Sequence, residues 1–192
     1  MLKLAVTGGI GAGKSIVCQV FQKIGIPVFH ADVVAKELTN NNAELRHQLI
    51  ELFGQDIYQE NGDIHRKRLA EIIFNDNFAL QKVNEIIHPA VFNSFVQWAM
   101  EQNSPYVIQE AAIIFENGHT ERFDKIITVT APTELKIERC MRRDRINREL
   151  VLERMKNQLP DEYKIKHSDF VVVNDGMDMI LPQILNIHNS LI

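Results

Sequence analysis

Residues 5–17 read AVTGGIGAGKSIV, where four glycines within six positions precede a lysine and a serine. Gly8, Gly13, Lys14 and Ser15 satisfy GxxxxGK[ST], a spacing that cradles polyphosphate when a strand precedes it and a helix follows. Glycines let backbone N–H groups converge on anionic oxygens, and a helix N-terminus adds the positive end of its dipole. In that arrangement Lys14 reaches the outer phosphates. Ser15 places its hydroxyl on the magnesium ion that accompanies a nucleoside triphosphate. A flexible turn is the competing reading, and it leaves the flanks unexplained. Leu2–Thr7 is a short apolar run closed by glycine, while Val17, Val20, Phe21 and Ile24 recur at helical spacing up to Gly25.

Four further groups have placement that suggests chemistry. Asp32 stands at the C-terminal end of a candidate strand, Ile26–Ala31. It reads as the N-cap of the helix that follows, as a carboxylate that meets an acceptor hydroxyl, or as both, since ligands sit at that edge of open α/β sheets. Glu110 ends another candidate strand, where it supports the magnesium shell through water or pairs with an arginine. His30 stands beside Asp32 with either a structural or a substrate-facing role. Arg139, Arg142, Arg143, Arg145, Arg148 and Arg154 crowd into sixteen residues. A solvated helical face explains most such runs, and Asp144, Glu149 and Glu153 partly neutralise this one. Arginine's planar fork also suits phosphate, so a lid that closes over a transferring phosphoryl group is the favoured reading. A nucleic-acid surface is disfavoured, because no aromatic residues interleave with these arginines.

The elements that would position these groups form an α/β pattern. Tyr106–Ala111, Lys125–Thr130 and Asp169–Val173 join the first two strands as buried-type apolar runs, giving a five-stranded parallel sheet with crossover helices. The stretch between the second and third strands is too long for one crossover. Its helical patterns (Leu45, Leu49, Leu52 and Phe53 up to Gly54; Leu69, Ile72 and Ile73; Val83, Ile86 and Ile87; Val91, Phe92, Phe95, Val96 and Ala99) describe a helical insertion. Pro89 predicts the first turn of a new helix there, and Gln59–His65 a turn or small hairpin.

Composition excludes several classes. With 45% hydrophobic and 24% charged residues, the 192-residue chain resembles an ordinary globular protein. The net charge of −4 argues against general nucleic-acid binding, and no apolar stretch approaches the roughly 20 residues of a membrane span. The N-terminus enters the first strand without a leader-like segment, which points to the cytoplasm. Cys18 and Cys140 read as helix-packing thiols, and the scattered histidines offer no transition-metal site. Oligomeric state is left open.

A P-loop specifies a nucleotide but not a reaction. The DxxG and NKxD strings of a GTPase switch are absent, so a kinase with an acceptor region, a base and a charged lid is favoured over a regulatory module. Beyond that, the chain resembles the dephospho-CoA kinases nearly end to end. VTGGIGAGKS is similar to that family's TGGIGSGKS, HADVVAKEL to its DADxxAR, RKRLAEIIF to RxxLxxxxF and IIHPAV to HPxV. EAAIIFENG resembles PLLFE, RCMRRD the lid arginines, RMKNQ the RxxxQ stretch and SDFVVVNDG the closing ADxVIxNxG. Individually these strings are weak; their joint order and spacing are specific.

The resemblance implies a nucleotide-kinase-like, three-layer P-loop NTPase fold: a core of residues 1–32, 104–138 and 164–192, a helical acceptor domain at 33–103 and an arginine-rich lid at 139–163. It implies transfer of phosphate from ATP, with magnesium, to the ribose 3′-hydroxyl of dephospho-CoA. A nucleoside or nucleotide kinase of similar build is the alternative. Asp32, Lys14 and Arg142 are the implied catalytic groups. Gly9, Gly11, Ala12, Gly13, Lys14, Ser15, Ile16, Arg142, Asn174 and Gly176 would hold ATP, with Ser15 on the metal. Thr7, Asp32, Arg68, His88 and Glu110 fall on the acceptor side, His88 also fitting a helix start. Three positions depart from the pattern: His30 replaces the first aspartate of DAD, Ile16 stands where threonine is common, and EAAIIFE lacks the proline of PLLFE.

Overall fold

Short apolar runs between helical patterns become parallel strands. The structure, a computed structural model, describes residues 1–74 and 76–192, apart from the side chains of Phe74 and Asn77. In chain order the elements are β1 (Leu2–Thr7), α1 (Lys14–Lys23), β2 (Val28–His30), α2 (Ala31–Asn41), α3 (Ala43–Phe53), α4 (Arg66–Phe74) and α5 (Asn77–Met100). They continue with β3 (Tyr106–Glu110), β4 (Lys125–Thr130), α6 (Thr133–Asp144), α7 (Arg148–Lys156), α8 (Asp161–Lys166), β5 (Phe170–Val173) and α9 (Ile180–Leu191). The chain divides into two compact units, Met1–His30 with Gln102–Ile192, and Ala31–Glu101.

In the first unit, five strands among the described residues form one sheet in the order β2-β3-β1-β4-β5, every neighbouring pair parallel. Alternation along a strand sends successive side chains to opposite faces. Leu4 and Val6 of β1 join Ile127 and Val129 of β4 beneath Val17, Cys18 and Phe21 of α1 and Ile184 and Ile187 of α9. Ala5 and Ile126 turn the other way and pack with Ile114. β1 is therefore buried from both faces and both edges, and the loop it feeds has a rigid base. The sheet order reverses direction beside β1, the place where open α/β sheets bind ligands.

The second unit has its own core, in which Leu45 and Leu49 of α3, Ile57, Tyr58 and Ile64 of the following turn, Leu69 of α4 and Val83 of α5 pack together. Asn42 caps α3 by accepting from the Leu45 N–H (2.9 Å), and Gly54 ends it with φ 88°. Gln59–His65 is a tight reversal closed by an antiparallel bridge between Tyr58 and Ile64. Arg46 lies over the Tyr58 ring at 4.4 Å and donates to the Gly62 carbonyl, fixing the reversal against α3.

Three local expectations are corrected. Pro89 does not open a helix; it lies inside the 24-residue α5, so His88 is no helix start either. An internal proline removes one backbone N–H and crowds the preceding turn, at about 3 kcal/mol. Here α5 runs on because α2, α3 and α4 all pack along it, so tertiary burial outweighs the local penalty. β2 ends at His30 rather than Ala31, and Ala31 already belongs to α2. Asp32 is consequently the second helical residue and not an N-cap, although a carboxylate in the first turn still complements the helix dipole.

Candidate functional site

The glycine-rich loop runs from β1 into α1. Gly13, in the left-handed region at φ 94°, precedes the first helical residue and offers no side-chain cap. The Ile16 N–H donates to the Gly13 carbonyl (3.1 Å), which leaves the Lys14 and Ser15 N–H groups to a ligand, as anion binding at a helix start requires. Within the loop the Ala12 N–H donates to the Gly9 carbonyl (3.1 Å), and Lys14 Nζ donates to the Gly8 and Gly9 carbonyls (3.0 and 3.4 Å). The lysine therefore arches back over the loop, while Ala12 is buried and Ile16 is half exposed.

Neighbouring elements hold the loop from outside. Gln158 Oε1 accepts the Ile10 N–H at 2.8 Å. Asn174, just past β5, is buried; its Nδ2 donates to the Ala12 carbonyl (2.9 Å), and its Oδ1 accepts from Arg139 (3.3 Å). Arg139 also donates to the Asn174 carbonyl at 3.0 Å. Asn174 thus braces the loop with its side chain, whereas Gly176 stands exposed at φ 85°.

Glu110 joins α1 to the strand ends. Its Oε1 accepts the Ser15 hydroxyl at 3.0 Å and its Oε2 pairs with His30 Nδ1 at 2.5 Å, while His30 Nε2 lies 3.4 Å from Gln22 Nε2. Among the described residues Glu110 takes no arginine partner, which corrects the second of its two sequence readings: an imidazole from the adjacent strand occupies that oxygen instead. Burial, with the Glu110 carboxylate next in importance, pushes the Cys18 thiol well up, so it is a packing group and not a nucleophile. Ser15 and Glu110 present oxygen donors only, which suits a hard divalent cation. The described residues contain no cluster of three or more His, Cys, Asp or Glu that could hold a metal unaided. Magnesium sites of this kind take one or two protein groups and complete their shell with phosphate and water.

Other implied site residues fall in varied settings. Thr7 is fully buried and its hydroxyl donates to the Ala112 carbonyl (3.4 Å), so it presents no surface to an acceptor. Arg142 is exposed in the last turn of α6. In the second unit Asp32 is exposed in α2, His88 is half-buried in α5, and Arg68 of α4 donates to Asp56 at 2.8 Å.

Several supporting groups were missed from sequence. Lys136 of α6 is buried and pairs with Asp161 at 2.7 Å, and Asp161 also accepts the Thr130 hydroxyl (2.9 Å). Lys164, fully buried, lies 2.7 Å from Glu116 Oε1, which accepts the Leu159 N–H as well. These two pairs tie α8 to α6 and to the segment after β3. A cavity of about 580 Å³ opens beside Gly9, walled by Thr130, Lys136, Gln158, Asp161 and Asp175. No local pattern marks Lys136 or Lys164, since a lysine in a helix ordinarily reads as solvent-facing.

Comparison with known proteins agrees with this geometry. A dephospho-CoA kinase family model matches residues 2–179. A dephospho-CoA kinase of Porphyromonas gingivalis is 38% identical over 188 residues, covering 97% of this chain and 93% of the relative. One from Bacteroides fragilis is 35% identical over 187 residues, covering 97% and 91%. A crystal structure from Thermus thermophilus superposes with a TM-score of 0.87 at 29% identity, covering 98% of this chain and 96% of that one. A shikimate kinase from Bacteroides thetaiotaomicron shares the fold, with a TM-score of 0.56 at 14% identity and coverage of 99% and 98%. The five-stranded parallel sheet, the glycine-rich loop and its serine are those of a P-loop kinase, and the chain belongs to the dephospho-CoA kinase family.

Proposed function

We propose that the chain transfers the γ-phosphoryl group of ATP to the ribose 3′-hydroxyl of dephospho-CoA, giving coenzyme A and ADP in the cytoplasm. The observation that carries this reading is the match of the family model to residues 2–179. The loop supplies its chemistry. Backbone N–H groups of Gly9, Gly11, Gly13, Lys14 and Ser15 bind the phosphates, and Lys14 swings from the Gly8 and Gly9 carbonyls to the β- and γ-phosphate oxygens. Asn174 and Gly176 border the adenine. Ser15 and Glu110 hold the magnesium ion, which neutralises phosphate charge when bound.

Asp32 takes the proton from the acceptor hydroxyl as that oxygen bonds to the γ-phosphorus. The bond to the β–γ bridging oxygen breaks in line, leaving ADP. Such transfers depend mostly on positioning and charge stabilisation, so Arg142 and Lys14 act on the three equatorial oxygens of the transferring group. The helical unit binds the acceptor, with Arg68 and His88 on its side, and residues 139–163 act as the lid.

The test is a coupled assay with ATP, magnesium and a panel of dephospho-CoA, nucleosides and nucleoside monophosphates. Phosphorylation of dephospho-CoA is expected; turnover of a nucleoside monophosphate without dephospho-CoA overturns the reading. In the same assay Asp32→Asn should lower kcat by about 10²- to 10⁴-fold with ATP affinity retained. Wild-type turnover in that variant removes Asp32 from the mechanism.

A further inference from the structure

The second unit contains a groove of about 230 Å³ that no step above uses. Ala35, Lys36 and Thr39 of α2 form one wall, Arg66, Leu69, Ala70 and Ile73 of α4 another, and Ile64 and Ile87 complete the apolar floor. The rim carries two cations. Among the described residues neither Lys36 nor Arg66 makes a side-chain hydrogen bond or ion pair, although Arg68 next along α4 is engaged by Asp56. Two unneutralised cations above an apolar floor suit a ligand with a charged head and a branched hydrocarbon body.

The spacing along α2 relates the groove to Asp32. Positions 32, 36 and 39 recur on one helical face. At 1.5 Å per residue, Lys36 lies about 6 Å and Thr39 about 10 Å along the axis from Asp32. In dephospho-CoA the 5′-diphosphate follows the ribose 3′-hydroxyl by a few bonds, and the dimethyl-branched start of the pantetheine arm comes next. With the hydroxyl at Asp32, the diphosphate comes level with Lys36 and Arg66, and the branched methyl groups come level with the apolar floor.

Resting on the reading of Asp32 as the acceptor-side base, we infer that this groove is the subsite for the pantetheine arm. Lys36 and Arg66 hold the diphosphate, and Leu69, Ile73 and Ile87 receive the dimethyl branch. The helical unit then selects the acceptor by its arm as well as by its adenosine.

Ala70 is exposed on α4, so a larger side chain there fills the groove without entering the core. The test compares wild type, Ala70→Trp and Lys36→Glu on dephospho-CoA and on an arm-less analogue, adenosine 5′-(methyl diphosphate), with calorimetric binding of both. Ala70→Trp should weaken dephospho-CoA binding about tenfold, the loss of two buried methyl groups, with kcat kept and affinity for the analogue unchanged. Lys36→Glu should weaken both ligands, since both carry the diphosphate. Equal effects of Ala70→Trp on the two ligands, or none on either, overturn the subsite. So does a wild-type protein that binds both equally well. A wild-type protein that fails to phosphorylate dephospho-CoA refutes the proposed function instead, and calorimetry still reports on the groove.

Discussion

Gly11→Ala compared with Gly25→Ala separates backbone strain from close approach. Both glycines hold positive φ, 79° and 90°. A Cβ on Gly25 meets nothing within 4 Å, whereas one on Gly11 falls 2.3 Å from the Lys136 carbonyl oxygen and 2.9 Å from Cys140 Sγ. Gly25→Ala therefore incurs only the left-handed penalty, about 1–2 kcal/mol. Gly11→Ala adds displacement of α6, and α6 cannot yield freely because Lys136 is buried against Asp161. Overpacking of that kind costs about 1–3 kcal/mol more, which for a chain of this size lowers Tm by about 2–12 °C beyond the Gly25 variant. Urea unfolding with thermal melts measures the difference, and binding of a non-hydrolysable ATP analogue reads its functional side. The Gly11 variant should lose nucleotide affinity, because the strain lies in the phosphate loop; the Gly25 variant should keep it. Equal destabilisation of the two, or undiminished nucleotide binding by the Gly11 variant, would refute the view that the loop is seated directly on α6.

Two other outcomes follow from single contacts. His30→Ala should reduce the magnesium-dependent gain in ADP affinity by about tenfold while leaving magnesium-free affinity unchanged, because it frees the Glu110 oxygen that imidazole now holds; His30→Asn, which keeps a donor, should recover part of it, and a calorimetric titration showing the same magnesium gain in all three proteins contradicts this. Arg143, by hydrogen bond and then by charge, together with Arg154, holds the Asp144 carboxyl below the usual carboxylate range. A folded value below the unfolded one means the contribution is present above the unfolded value and fades as pH falls through the folded one. Wild type should therefore exceed Asp144→Asn in stability by under about 1 kcal/mol near neutral pH, with the gap closing in acid; a gap that widens on acidification is inconsistent with the assigned shift.

How much of this was legible in the sequence depended on the range of the interactions. β1 and β4 follow from their apolar runs, and the loop from its spacing, because each is decided within a few residues. The reading of Pro89 failed because packing by three other helices outweighs a local penalty. The contacts that brace the site join distant residues: Ser15 with Glu110, 95 apart, and Asn174 with Ala12, 162 apart. Composition and periodicity contain no trace of such pairings. Lys136 is the clearest case, since its burial is a property of the assembled sheet end rather than of the helix that carries it.

The arginine cluster shows how structure narrows a compositional signal. Arg139 is committed to Asn174 and approaches the Gly11 carbonyl at 3.5 Å. Arg143 and Arg154 converge on Asp144, and Arg148 grips Glu134 with both terminal nitrogens at 2.7 Å. Arg143 and Arg154 thus share one carboxylate and Arg148 takes another, whereas Arg139 bonds only uncharged oxygens. Among the described residues Arg142 and Arg145 alone of the six have no side-chain hydrogen bond or ion pair, and Arg145 terminates α6 in a left-handed turn at φ 55°. Arg142 lies three residues beyond Arg139, on the same helical face, and Arg139 touches the phosphate loop. An exposed guanidinium without a hydrogen-bond partner, one turn from a loop-bound one, fits the role proposed above for Arg142 on the phosphoryl group.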